Sequence, residues 1–399
     1  MGIKDAGRKG LNLFRIEMFL LLFSGALALV LFGDALYSSF ISLFFQEFGV
    51  PLGEIGFFFT TFSLANALVS IPAGFISDRI GRKTLITGSL LFLAAVVFGY
   101  SLAETKIHLY ILRALHGASF GFIFPVARAY VMDKTTEENR GQTMGAFIFI
   151  CTLAPMAAPV AGGFLREQIG SFNPLFYGAA LCSVGAVLFL LTAVKDFGTG
   201  FTVQKMRLPT RELLQNRIFA VILLMFGMLF FGSSILAPFI SIFAKQELGM
   251  DYRLLGTLFS VYLLFYAFSQ LLAGSLSDRY GRKNLLVYPL FIYAAAILLS
   301  GLSTNYWMFF GLYLCVAVGA APYSTVAYSL IGDAVEPELR GTANGAITTV
   351  QNIGMFLGPV VGSALVQVTT LRVPFFAAAL VAFVTILMLF VILPQDKRD

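Results

Sequence analysis

Apolar runs of about 20 residues, each long enough to cross a bilayer, recur twelve times along this 399-residue chain. They cover approximately 17–45, 55–77, 84–102, 108–131, 142–165, 173–194, 218–244, 254–277, 285–302, 306–331, 342–367 and 373–393. The residues are 58% hydrophobic and 12% charged, against roughly 25% charged in soluble domains. A soluble globule cannot hide that much apolar surface. The first run follows Lys4, Arg8, Lys9 and Arg15 as a signal peptide would, yet it is too long for one and eleven more follow. It reads as a retained helix, and the chain as an all-α polytopic membrane protein with twelve transmembrane helices.

Charge placement orients the chain. With a cytoplasmic N-terminus, most of the 27 Lys and Arg fall inside: the N-terminal arm, the 195–217 linker, the inner loops and the Lys397–Arg398 tail. Outer loops keep Lys106, Arg166, Lys245, Arg253 and Arg372. This positive-inside asymmetry predicts a multi-pass protein of the plasma (cytoplasmic, or inner) membrane with both termini cytoplasmic. It accounts for the net charge of +6 without a nucleic-acid partner. Cys151, Cys182 and Cys315 lie within apolar runs at no paired or metal-like spacing, so they imply neither a disulfide nor a cluster.

The chain repeats itself at an offset of 200. "GFISDRIGRK" at 74–83 returns as "GSLSDRYGRK" at 274–283, and "QEFG" at 46–49 as "QELG" at 246–249. Asp133, Arg140, Gly145, Pro159 and Gly162 meet Asp333, Arg340, Gly345, Pro359 and Gly362. Such a register indicates two homologous halves, 1–194 and 218–399, each a six-helix bundle, joined by a cytoplasmic linker at 195–217. An even helix number inserts both halves in the same orientation. That is the parallel-repeat arrangement, with a binding site expected near the midplane between the halves.

The 6+6 pattern, the central linker and the twice-repeated G-x-x-x-D-R-x-G-R-K loop resemble the major facilitator superfamily over essentially the whole chain. The resemblance implies the major facilitator fold and transport by alternating access. In physical terms each decapeptide is a two-to-four-residue turn between antiparallel helices. Gly74 and Gly274 would allow close helix approach, and Gly81 and Gly281 suit positive φ. Asp78, like Asp278, would accept hydrogen bonds at a helix N-terminus. Arg79, Arg82 and Lys83, like Arg279, Arg282 and Lys283, would pair with carboxylates such as Asp133, Glu137 and Glu138, or Asp333, Glu336 and Glu338; Arg140 belongs to the same set. Such pairs would gate one face. The alternative is that the charges only fix topology and tie off the turn.

Charges inside spans are costly and mark function by default. Asp34 lies mid-helix in "LVLFGDALYSSF"; Arg113 and His116 lie three residues apart in helix 4, on one face. At 1.5 Å per residue their depths are close enough for Arg113 to reach Asp34, with His116 nearly level. The equivalent positions of the second half are Ser234, Tyr313 and Val316. Polar groups confined to one half suggest coupling. Burial holds a proton on a carboxylate and a nearby cation drives it off, so Asp34 reads as the proton carrier, Arg113 as the group setting its affinity and His116 as a second titratable site. The alternative is a static ion pair between helices 1 and 4.

"RALHGASFG" is similar to the R-x-x-x-G-x-x-x-G of proton-coupled members at Arg113, Gly117 and Gly121. Helix 5 resembles the antiporter pattern at Gly145, Pro159 and Gly162, with Ala154 and Ala158 replacing two glycines; a Pro-induced bend is still expected there. Helix 11 carries the full pattern at Gly345, Gly354, Gly358, Pro359 and Gly362. The resemblance implies a drug:proton antiporter of the twelve-helix type. The alternative is proton-coupled uptake of a metabolite, or movement of a lipid-like substrate.

The expected lining suits a lipophilic or amphipathic small molecule: Tyr37, Phe40, Phe120, Phe124 and Phe231, with Tyr262, Tyr266, Tyr323, Gln351 and Asn352 adding hydrogen-bonding groups. A lipid-facing role competes for the phenylalanines. Two histidines, scattered cysteines and no phosphate-binding glycine loop exclude a membrane enzyme or an ATP-fuelled pump. The expected partners are the substrate, protons and the bilayer; no cofactor is expected beyond the proton gradient, and a monomer is expected.

Overall fold

Each apolar run forms helix. The structure is a computed structural model that describes residues 3–135, 140–193, 215–336 and 339–392. Among these, twelve helices are long and apolar enough to span a membrane: spans 1 to 6 are Met18–Ser38, Leu52–Ile80, Arg82–Tyr100, Lys106–Asp133, Thr143–Ile169 and Asn173–Ala193. Spans 7 to 12 are Arg217–Gln246, Tyr252–Ala273, Arg282–Gly301, Tyr306–Tyr323, Thr342–Val368 and Val373–Val391. The linker lies outside the described residues except at its end, where the Asn216 side chain accepts from the backbone N–H groups of Ile218 and Phe219. Asp251 caps span 8 in the same way through Leu254 N–H, at 2.7 Å. Both satisfy donors that a helix start leaves without intrahelical partners.

The repeat is visible in the backbone. Of the five glycines with positive φ among the described residues, Gly49 and Gly249 form one equivalent pair and Gly81 and Gly281 another. Only glycine adopts this region without cost, so both halves reverse at the same places by the same means. Gly81, at φ 92°, is the whole turn between the helices ending at Ile80 and starting at Arg82. The expected two-to-four-residue turn is thus a single residue. In span 5 a 3-10 turn over Ala154–Ala157 separates two α-helical segments, in the stretch where Pro155 and Pro159 remove backbone donors.

The chain divides into two compact units, residues 1–39 with 64–203, and residues 40–63 with 204–399. This differs from a division at the linker alone. In the first unit span 1 packs on spans 5 and 6, and span 3 on spans 4 and 6. In the second, span 7 packs on spans 11 and 12, span 9 on spans 10 and 12, and span 8 on span 10. Residues 40–63 join the second unit through packing described below.

Candidate functional site

Two close crossings grip span 1 on either side of Asp34. A Cβ on Gly33 would lie 2.8 Å from the Cβ of Cys182 and 3.1 Å from Ala179 of span 6, and one on Gly162 would lie 2.0 Å from the Leu36 carbonyl oxygen. Small residues allow that approach, and the grip fixes the turn that carries Asp34 and Tyr37.

Against this turn span 4 presents Arg113, His116 and Phe120. The His116 Nε2 lies 3.2 Å from Asp34 Oδ1. The Tyr37 hydroxyl donates to the same oxygen at 3.0 Å and stands 3.4 Å from His116 Nε2. Arg113 is 5% exposed and His116 2%. The Arg113 guanidinium acts electrostatically on Tyr37, Tyr100 and His116. Aromatic rings enclose the group: Phe176 sits 5.2 Å from Tyr37 and 5.4 Å from Tyr100, and Phe120 is 5.0 Å from His116. The structure therefore brings Asp34, half-buried, together with the buried Arg113 and His116 into one cluster within one unit. The carboxylate meets both His116 and Tyr37, and His116 stands level with it as the depths indicated.

Tyr37 needs correction as a lining residue. It is fully buried with its hydroxyl on Asp34, and so belongs to the charged cluster. Phe40 is also fully buried, edge-on to Tyr252 and Phe259 in the second unit. Phe120 and Phe124 are half-buried neighbours in span 4. In the second unit Tyr262 stacks on Tyr266 at 6.2 Å and meets Tyr313 at 4.9 Å, while Tyr323 is edge-on to Phe226. Phe231, Gln351 and Asn352 are half-buried. Sequence reasoning missed Tyr293 and Tyr313 as buried members of this aromatic group; the repeat located Tyr313 only as the counterpart of Arg113.

The first decapeptide is organised by Arg82. Its guanidinium pairs with Asp133, lies 3.3 Å from Asp78 and donates to Ser77 Oγ at 3.0 Å. Two expectations fail here. Asp78 sits in the last turn of its helix, not at a helix N-terminus, and it faces Arg82 across the Gly81 turn. Gly74 is not a close crossing, because a Cβ there would meet nothing within 4 Å. The same holds for Gly145. Arg79 is exposed, whereas Arg82 and Lys83 are half-buried. In the second decapeptide Arg279 is exposed, and Arg282 and Lys283 are half-buried; the Lys283 ammonium donates to the Phe390 carbonyl at 3.4 Å. Gly274 lies within a helix, and the side chains of Asp278, Arg140, Asp333, Glu137, Glu138 and Glu338 lie outside what is described.

A second polar set holds residues 40–63 within the second unit. The Gly56 N–H donates to Ser363 Oγ at 2.8 Å, and Thr60 Oγ1 to the Phe356 carbonyl at 3.0 Å. Tyr252 donates to Glu47 at 2.7 Å, and Gln246 to Gln46, its own repeat equivalent, at 3.3 Å. A Cβ on Gly56 would lie 2.1 Å from the Pro359 carbonyl oxygen. Gly56 and Gly256 are equivalent at the offset of 200, which by itself does not reveal this crossing.

Twelve spans, a twofold internal repeat and a cluster of ionisable side chains within one unit define a secondary transporter of the membrane. The family model of the Major Facilitator Superfamily matches residues 23–232 and again 222–399, and the chain belongs to that family. It is a multi-pass membrane transporter, not an enzyme. It is similar to Multidrug resistance protein 1 of Bacillus subtilis, 26% identical over 340 residues covering 81% of this chain and 83% of that one. It is also similar to the multidrug resistance protein MdtG of Proteus mirabilis, 27% identical over 368 residues, 88% of this chain and 90% of the other. The fold superposes on a bacterial homologue of the human lysosomal transporter Spinster with a TM-score of 0.77, at 18% identity over 93% of this chain and 95% of that one.

Proposed function

We propose that this protein is a proton-coupled antiporter that exports lipophilic or amphipathic small molecules. The observation that carries the reading is the contact of half-buried Asp34 with the buried His116 beside the buried Arg113 in one unit, where the equivalent positions of the other half are Ser234, Tyr313 and Val316. A half-buried carboxylate touching a buried imidazole is costly to keep for stability alone, and the second half has no such pair at the equivalent positions. The multidrug relatives support the substrate class, and so do the half-buried aromatic side chains of both units. Asp34 carries the proton, His116 shares it and Arg113 limits how tightly it is held. Substrate occupies the aromatic lining, and loss of the proton on the opposite side resets the site. The protein resides in the cytoplasmic membrane with both termini inside and acts as a monomer.

Proteoliposomes with an imposed pH gradient, loaded with a panel of lipophilic cations and neutral metabolites, test this. Wild-type protein should concentrate a lipophilic compound against its gradient. Asp34→Asn should abolish that accumulation while preserving counterflow exchange, which needs no net proton movement. Accumulation by Asp34→Asn equal to wild type overturns proton coupling through Asp34. Gradient-driven accumulation of neutral metabolites alone overturns the drug substrate class in favour of uptake.

A further inference from the structure

We propose that Tyr37 is a positioning residue of the proton site, and that its hydroxyl sets the pH at which the Asp34–His116 pair gives up its proton. The inference rests on the proton-coupled reading above.

Three polar atoms form a triangle: Asp34 Oδ1, His116 Nε2 and the Tyr37 hydroxyl oxygen, at separations of 3.2, 3.0 and 3.4 Å. At 3.2 Å an oxygen and a nitrogen cannot both present lone pairs, so a hydrogen lies between Asp34 and His116. A phenol has a single hydrogen. Tyr37 gives it to the carboxylate, the nearer and more strongly accepting neighbour. A hydrogen bond to the charged form favours that form, so Tyr37 stabilises the carboxylate left when the proton departs. The excess proton passes between Oδ1 and Nε2 and then away, leaving a neutral imidazole whose one remaining N–H points at Oδ1; Tyr37 keeps its own proton.

The groups around the triangle leave this role to Tyr37. Arg113 from span 4 contributes the cation, and Tyr100 from span 3 a second phenol. Span 6 faces the triangle with the Phe176 ring and reaches the neighbouring Gly33 with the Cys182 side chain, and span 5 meets the same turn through Gly162 and carries the buried Arg166 one turn further on. Tyr37 has no exposed surface, which argues against contact with substrate in this state.

The chain contains only two histidines, and His108 is exposed at the start of span 4. Histidine-selective NMR of the full-length protein in nanodiscs therefore yields two ring signals, and His108→Gln assigns them without any substrate. In Tyr37→Phe the midpoint of the His116 titration should rise by about one pH unit, the size expected for one lost charge-assisted hydrogen bond. A fluorinated tyrosine at position 37 is a stronger donor of the same shape and should lower the midpoint. That variant decides the matter if Tyr37→Phe fails to fold. An unchanged midpoint, or a shift of the opposite sign, overturns the role of Tyr37. Failure of the coupling reading shows separately, as gradient-driven accumulation by Asp34→Asn.

Discussion

Gly162 meets Leu36 so closely that one added carbon would lie 2.0 Å from a backbone oxygen. That oxygen cannot retract as a flexible side chain would, and it belongs to the turn of span 1 that carries Asp34 and Tyr37. The position of the carboxylate is therefore set partly from span 5, by the absence of a side chain.

Gly162→Ala should destabilise the protein by about 1–3 kcal/mol, the usual cost of overpacking. It should also reduce gradient-driven transport more than substrate binding. Gly145→Ala, in the same span but with open space around it, should do neither. Thermal unfolding and liposome transport on both variants check the contrast; equal effects would refute the crossing.

Arg82 is the hub of the first decapeptide, so its loss should matter more than the loss of either acidic partner. Arg82→Lys keeps the charge but cannot reproduce three contacts from one planar group, and transport should slow by more than tenfold at unchanged protein level. Asp78→Asn leaves the Asp133 pair in place and should slow transport less, since one charge-assisted contact is worth about 1.5–3 kcal/mol. A larger effect for Asp78→Asn than for Arg82→Lys would place the hub elsewhere.

Ser363 is fully buried under Gly56. Gly56→Ala should force span 2 away from Pro359 and expose Ser363. A cysteine at position 363 should then react several-fold faster with a membrane-impermeant maleimide. Gly74→Ala should leave the rate unchanged, because nothing crowds that glycine.

Asp251 caps span 8 next to Tyr252, which holds Glu47. Asp251→Ala should cost about 1 kcal/mol, read as a lowered unfolding temperature. Asp251→Asn should recover most of it, since the amide oxygen still accepts the Leu254 N–H.

The spans and the repeat were legible because membrane burial demands long apolar runs and the duplication preserved an offset of 200. Positive φ at Gly81 and Gly281 was legible because a reversal between helices requires it. Depth along a helix follows from residue count, which placed Asp34 and His116 level. Rotation about the helix axis does not follow. In lipid both faces of a helix can be apolar, so nothing in the pattern separates a ring lining a cavity from one packed inside, and Tyr37 and Phe40 read as lining. Close crossings were hidden for a related reason: Gly56, Gly74, Gly145 and Gly162 look alike until the opposing backbone is in place.

Residues 40–63 count structurally with residues 204–399, although they are synthesised 200 to 307 residues earlier than the partners they hydrogen-bond. The first half therefore leaves the ribosome with the start of its second helix still lacking the partners it will keep. A chain severed in the linker would give a first fragment short of those contacts, fit for degradation unless the other fragment is made beside it. The duplication that built this protein thus left the first module with one segment whose lasting contacts are supplied by the second.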